Sequence, residues 1–234
     1  MYIKRAMPVH PKVLEQDFES SEGALDDIEA ILHILISKES KSELDQKEKD
    51  FIASKLTILW FEINKKRGIN LRDREKLLPV FQELDRLIGT YGSPSYLYRG
   101  VNLTKFDPLM LSELYGNSTP DTPFKPNSKI SQELEYLAYG LRSWSSSKAS
   151  AHTWATENYY RDRIIFQIQN PQPVLDGTAV INFFKRGSLF DRDEYILNLK
   201  DPKVVSVNRY DETYDFFVPD DKLGNRWEVT IKEN

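Results

Sequence analysis

LRSWSSSKASAHTWATE, residues 141–157, begins as a strand and ends as a helix. In its first half Leu141, Ser143, Ser145 and Ser147 fall on one side of an extended chain, with Arg142, Trp144 and Ser146 on the other. In its second half Lys148, Ala149, Ala151 and Ala155 read as a helix for which Ser147 is the N-cap. The junction therefore presents three consecutive hydroxyls, Ser145, Ser146 and Ser147, beside the free N–H groups that open a helix. Such a corner suits an anionic or carboxylate partner. An isolated run of serines needs no explanation beyond capping, so the neighbouring segments decide what this one is for.

Upstream, residues 96–101 (YLYRGV) read as a strand with one arginine, Arg99, among apolar residues. Downstream, residues 192–197 (RDEYIL) read as an acidic turn running into a strand, with Glu194 at its mouth. Further strands are expected at 163–169, 195–199, 203–210 and 226–232, with short extended pieces at 173–176 and 179–184. A short helix is expected at 130–139 and an exposed, proline-containing loop at 116–128. The period changes before residue 93. From 13 to 89, apolar residues recur at spacings of three and four, as in Ile28, Ile31, Leu32, Leu35 and again in Leu77, Leu78, Phe81, Leu84, Ile88. Residues 38–49 read as a charged connector and Arg67-Gly68-Ile69-Asn70 as a helix stop. The expected class is α+β, with a helical region over 1–92 and a strand-rich core over 93–234.

The 234 residues suffice for a sizeable buried core. They include no cysteine, which excludes disulfides and thiolate metal sites, and the three histidines, His10, His33 and His152, are too scattered for a metal cluster. A net charge of −4 gives no overall basic footprint for nucleic acid. No apolar run approaches the ~20 residues of a membrane span. MYIKRAMPVH lacks the apolar stretch of a signal peptide, so a cytoplasmic location is expected.

An arginine strand, a serine strand-to-helix corner and a glutamate strand, in that order over residues 95–207, resemble the Arg-Ser-Glu class of mono-ADP-ribosyltransferases, the fold of bacterial toxins and phage enzymes. The resemblance implies a mixed, mostly antiparallel two-sheet core and NAD+ as substrate. It assigns Arg99 to the pyrophosphate, a role that suits a permanently charged, bidentate guanidinium. Gly100 would let the backbone approach the nicotinamide carboxamide. Glu194 would hold the ribose 2′-OH as oxocarbenium character develops, with Ser145 orienting it and Ser147 fixing the turn, and Ser145, Ser146 and Ser147 would all belong to the NAD+-binding set. Tyr159, Tyr160 and Arg161 fall where the family has its phosphate–nicotinamide loop, and Phe183, Phe184, Lys185, Arg186 and Arg192 where its target-recognising loop lies.

The sequence departs from the family two residues before the glutamate. Members generally carry Glu or Gln there, and this chain has Arg192, a cation that would repel an arginine acceptor. A protein acceptor is the leading expectation. A nucleic acid follows, because Lys185, Arg186 and Arg192 share a loop with aromatics. An NAD+ glycohydrolase and a non-catalytic helical module are the alternatives. A toxin role would add an inhibitory partner protein.

Overall fold

The three- and four-residue spacing of the N-terminal segment becomes three helices, α1 (Ser21–Ile36), α2 (Gln46–Asn64) and α3 (Leu71–Ile88), in the computed structural model. The structure describes residues 21–64, 71–89, 92, 94–102, 129–155, 163–185, 193–209 and 226–234. Ile31 and Leu35 of α1, Ile52 and Leu56 of α2, and Leu77, Phe81 and Leu84 of α3 are fully buried together. Inside the charged connector, Asp45 and Glu48 form a reciprocal cap for α2. The Asp45 carboxylate accepts from Glu48 N at 2.8 Å and that of Glu48 accepts from Asp45 N at 3.0 Å. The helix stop expected at 67–70 and the loop expected at 116–128 lie outside the described residues.

The second half supplies β1 (Tyr96–Asn102), α4 (Lys129–Ala138), β2 (Gly140–Ser145), α5 (Lys148–Ala155), β3 (Arg163–Gln169), β4 (Leu175–Asp176), α6 (Gly177–Phe184), β5 (Glu194–Leu199), β6 (Pro202–Arg209) and β7 (Arg226–Glu233). The strands form one sheet in the order β4-β5-β2-β1-β3-β7-β6. All its pairings are antiparallel except β3 with β7. The fold is thus α+β with a mixed, mostly antiparallel sheet. The two expected half-sheets are visible as β4-β5-β2 and β1-β3-β7-β6, but a single residue pair, Tyr98 opposite Ser145, joins them into one hydrogen-bonded sheet.

One segment departs from the expected extended conformation. Residues 179–184 are helical, as part of α6. Their apolar, β-branched and aromatic content suits a strand. What decides otherwise is Asp176, whose buried carboxylate accepts from Thr178 N at 2.8 Å and Ala179 N at 3.4 Å and so caps a helix. Lys185 closes that helix in the left-handed region, with φ 54°.

The two faces of the sheet are covered differently. On one, Ile130, Leu134 and Ala138 of α4 pack over Leu97, Trp144, Phe166 and Val229. On the other, α1, α2, α3 and α6 pack over Leu141 and Ile196, so the N-terminal helices and the strands share a core across the 92/93 boundary. Farther along that same face, α5 covers β1 and β3 through Ala151, Ala155 and Ile165. Between these two coverings a cleft stays open.

Candidate active site

The register of three strands places the groups at this cleft. Glu194 opens β5 directly opposite Ser145 of β2, and Ser145 lies opposite Tyr98 of β1. Residues directly opposite one another project from the same face of a sheet, so these three side chains form a row across it. Glu194 is only 3% exposed, which is unusual for a carboxylate.

A hydroxyl supports it. Ser143 Oγ donates to Glu194 Oε1. The carbonyl oxygen of the same Ser143 accepts from Arg99 Nη1 at 2.8 Å. A single residue therefore links guanidinium to carboxylate, and both line one cleft with Tyr98, Gly100, Ser145 and Trp154. Arg99 sits at the seam, where Tyr98–Ser145 is the pair that joins β1 to β2. Its guanidinium occupies a backbone acceptor that a continued ladder would have used.

The three serines of the corner each hold the turn differently. Ser145 Oγ accepts from Ser147 N at 3.0 Å, and Ser147 Oγ accepts from Ser150 N at 3.2 Å, as an N-cap of α5 does. Ser146 N donates to Asp193 O at 2.8 Å, fastening the corner to the residue before Glu194. Lys148 in the first turn of α5 pairs with Glu228 of β7 at 2.8 Å, which ties the helix to the other half-sheet. Burial first, and then the charges of Asp176 and Asp193, push the phenol of Tyr195, the residue after Glu194, above its usual pKa.

Gly100 has a packing reason to be glycine. A Cβ there would stand 1.8 Å from the backbone oxygen of Ala151 and 2.9 Å from Ala155 N, so α5 rests directly on β1 at this point.

Arg99, Gly100, Ser145, Ser146, Ser147 and Glu194 are thus brought to one corner. Ser143 is an addition to the expected set. The alternation of 141–147 puts it on the same side as Ser145, but only the strand register brings it to Glu194. Phe183 and Phe184 do not belong to a loop. They end α6, edge-to-face at 4.9 Å, with Phe184 buried in the core shared with α1–α3 and Lys49 placed 5.2 Å over the Phe183 ring. That packing buries Phe184 and leaves Phe183 partly buried at the end of α6; Lys185 is exposed at the helix end. Tyr159, Tyr160, Arg161, Arg186 and Arg192 lie outside the described residues. Among the described residues there is no grouping of three or more potential metal ligands, and no helix long and apolar enough to cross a membrane.

No protein-family model matches the chain, and no curated protein matches it in sequence. Several solved structures align with it over most of their length, at low TM-scores. An ADP-ribosyltransferase from Clostridium botulinum is 13% identical, with a TM-score of 0.34 over 92% of this chain and 98% of its own. An ADP-ribosyltransferase toxin from Paenibacillus larvae is 13% identical at a TM-score of 0.33, covering 90% of this chain and 94% of its own. The Vis toxin from Vibrio splendidus is 9% identical at 0.33, covering 93% and 88%. All three are ADP-ribosyltransferases.

Proposed function

We propose that the chain is an NAD+-dependent mono-ADP-ribosyltransferase acting on a macromolecular acceptor. The observation that carries this is the pairing in one cleft of a buried carboxylate, Glu194, with a permanent cation, Arg99, through Ser143. In the reaction the bond between the ribose C1′ and the nicotinamide nitrogen breaks, and nicotinamide leaves with the bonding pair. The ring left behind carries oxocarbenium character. Glu194, accepting from the 2′-hydroxyl, stabilises that charge more in the transition state than in the ground state, which is what accelerates a chemical step. Arg99 matches the pyrophosphate oxygens in charge and fork geometry. The acceptor nucleophile then attacks C1′ and gives up its proton. A protein acceptor is favoured by base rate and by the acidic chain, whose net charge is −4.

Incubation of a whole-cell lysate with the enzyme and adenylate-labelled NAD+, followed by protease or nuclease, tests this. Label lost to protease identifies a protein acceptor, and label lost to nuclease a nucleic acid. Free ADP-ribose as the sole product makes the chain a glycohydrolase. No turnover of NAD+ sinks the proposal.

Two substitutions probe the supports of the site. Arg99→Ala should raise the apparent KM for NAD+ about tenfold or more and lower turnover through misplacement of the ribose. Calorimetry giving wild-type NAD+ affinity would make this arginine structural only. Ser143→Ala frees the Glu194 carboxylate without removing it, so kcat should fall roughly tenfold with little change in KM. Adding it to Glu194→Gln should cost almost nothing further, because groups acting as one unit are non-additive. Losses that simply multiply would show that the hydroxyl and the carboxylate work apart.

A further inference from the structure

We propose that Asp176 is a positioning residue for Glu194, fixing the start of β5 by capping α6 beside it. The inference rests on the NAD+ reading in that Glu194 is the carboxylate whose placement it controls. β5 is held on two flanks, and unequally. Along β2 its pairing runs from Leu199 to Glu194 itself, which stands opposite Ser145. Along β4 it covers only Ile196 and Tyr195, opposite Leu175 and Asp176. One further backbone bond on that flank, from Val174 N to Ile196 O at 2.7 Å, lies on the side away from Glu194. Asp176 is thus the last residue of β4 to pair beside the carboxylate, and Gly177 already belongs to α6.

Asp176 itself makes that change of direction. Its side chain is among the buried ones, at 2% exposure, and Oδ1 accepts from Thr178 N at 2.8 Å and Ala179 N at 3.4 Å. A carboxylate at this point also meets the positive end of the helix dipole. One residue therefore ends a strand, starts a helix and pairs with Tyr195, the neighbour of Glu194. Burial raises the pKa of the Tyr195 phenol most, and the Asp176 charge adds to it, so the two groups feel one another. Ala179, Val180 and Phe184 of α6 share a buried core with Leu175 of β4 and Ile196 of β5. Without the cap, two amide donors lose their acceptor inside the protein, and the first turn of α6 loosens together with the Asp176–Tyr195 pair. Glu194 then keeps its β2 flank only, and its carboxylate drifts from the place where Ser143 supports it.

Asp176→Ala and Asp176→Asn, compared with wild type well below their unfolding temperatures, test this. Asp176→Ala should lose about tenfold or more in kcat for NAD+ cleavage per folded molecule, with KM for NAD+ within about twofold of wild type. Asp176→Asn keeps a capping oxygen, so its kcat should stay within about threefold of wild type. In the Glu194→Gln background Asp176→Ala should add almost nothing, because it acts through that carboxylate. Deuterium exchange gives a reading without substrate. The amides of residues 194–196 should exchange faster in Asp176→Ala than in wild type, and Asp176→Asn should restore them. A lower melting temperature with kcat and this exchange unchanged makes Asp176 structural only and overturns the inference, while loss of turnover in Glu194→Gln keeps the enzyme proposal standing. If Asp176→Ala fails to fold, Thr178→Pro takes its place, since it deletes the 2.8 Å donor where the first turn of a helix tolerates proline. Wild-type kcat and exchange in that variant overturn the inference. A wild type that does not turn over NAD+ ends the enzyme proposal. Exchange then decides the inference alone, faster exchange in Asp176→Ala supporting it and unchanged exchange overturning it.

Discussion

Glu194→Gln should leave the fold intact and NAD+ affinity close to wild type, while turnover falls by about two to three orders of magnitude. The two side chains are nearly the same size, and the amide oxygen still accepts from Ser143 Oγ, so the local packing survives. What is lost is the negative charge at the point where ribose charge develops. The carboxylate is 3% exposed, so water cannot substitute for it, and in such surroundings one charge counts for more than it would on a surface. Rapid quench with labelled NAD+ separates the chemical step from binding. Near-normal turnover in this variant would remove Glu194 from the reaction and direct attention to Asp193, its exposed neighbour.

Gly100→Ala should be as damaging to the structure as Glu194→Gln is to the chemistry. The added methyl would meet backbone, with Ala151 O at 1.8 Å and Ala151 C and Ala155 N at 2.9 Å. Side chains can rotate away from an intruder and backbone cannot, so α5 must move as a body. Overpacking of this kind costs about 3 kcal/mol. Because α5 carries the Ser147 cap, the shift should reach the serine corner and lower turnover as well. Ala151→Gly should not rescue it, since the clash is with a carbonyl oxygen and not with a methyl group. An unchanged denaturation midpoint together with unchanged turnover would show that the helix does not rest on the strand there.

Much of this is legible from residue pattern. β3 spans the expected 163–169, and β1, β5, β6 and β7 begin or end within a residue of expectation, because alternating apolar positions mark a strand wherever one face is buried. The N-terminal helices follow equally from their spacing. The failures share a cause, which is that distant chain decides them. Residues 179–184 look like a strand until Asp176 caps them and the helical core receives Val180 and Phe184. Ser143 looks no more special than its neighbours until β5 aligns beside β2 and brings Glu194 within its reach. At Gly100 the close rest of α5 is a packing role that no residue pattern near it announces. Arg99 and Glu194 stand out for a different reason. Each is a charged residue set in a run that otherwise belongs to the interior.

The single ladder pairing of Tyr98 with Ser145 divides the sheet into two plates, which the Arg99–Ser143 hydrogen bond and the Lys148–Glu228 pair also fasten together. Arg99 and Gly100 ride on one plate, Ser143, Ser145 and Glu194 on the other. Each plate keeps its own ladder, and a few rivets of this kind hold the two in line in place of a continuous ladder. A molecule that grips the arginine on one side and the glutamate on the other becomes one more rivet. On the reading proposed above, NAD+ would serve as such a brace, and each cleavage of its nicotinamide bond would remove it.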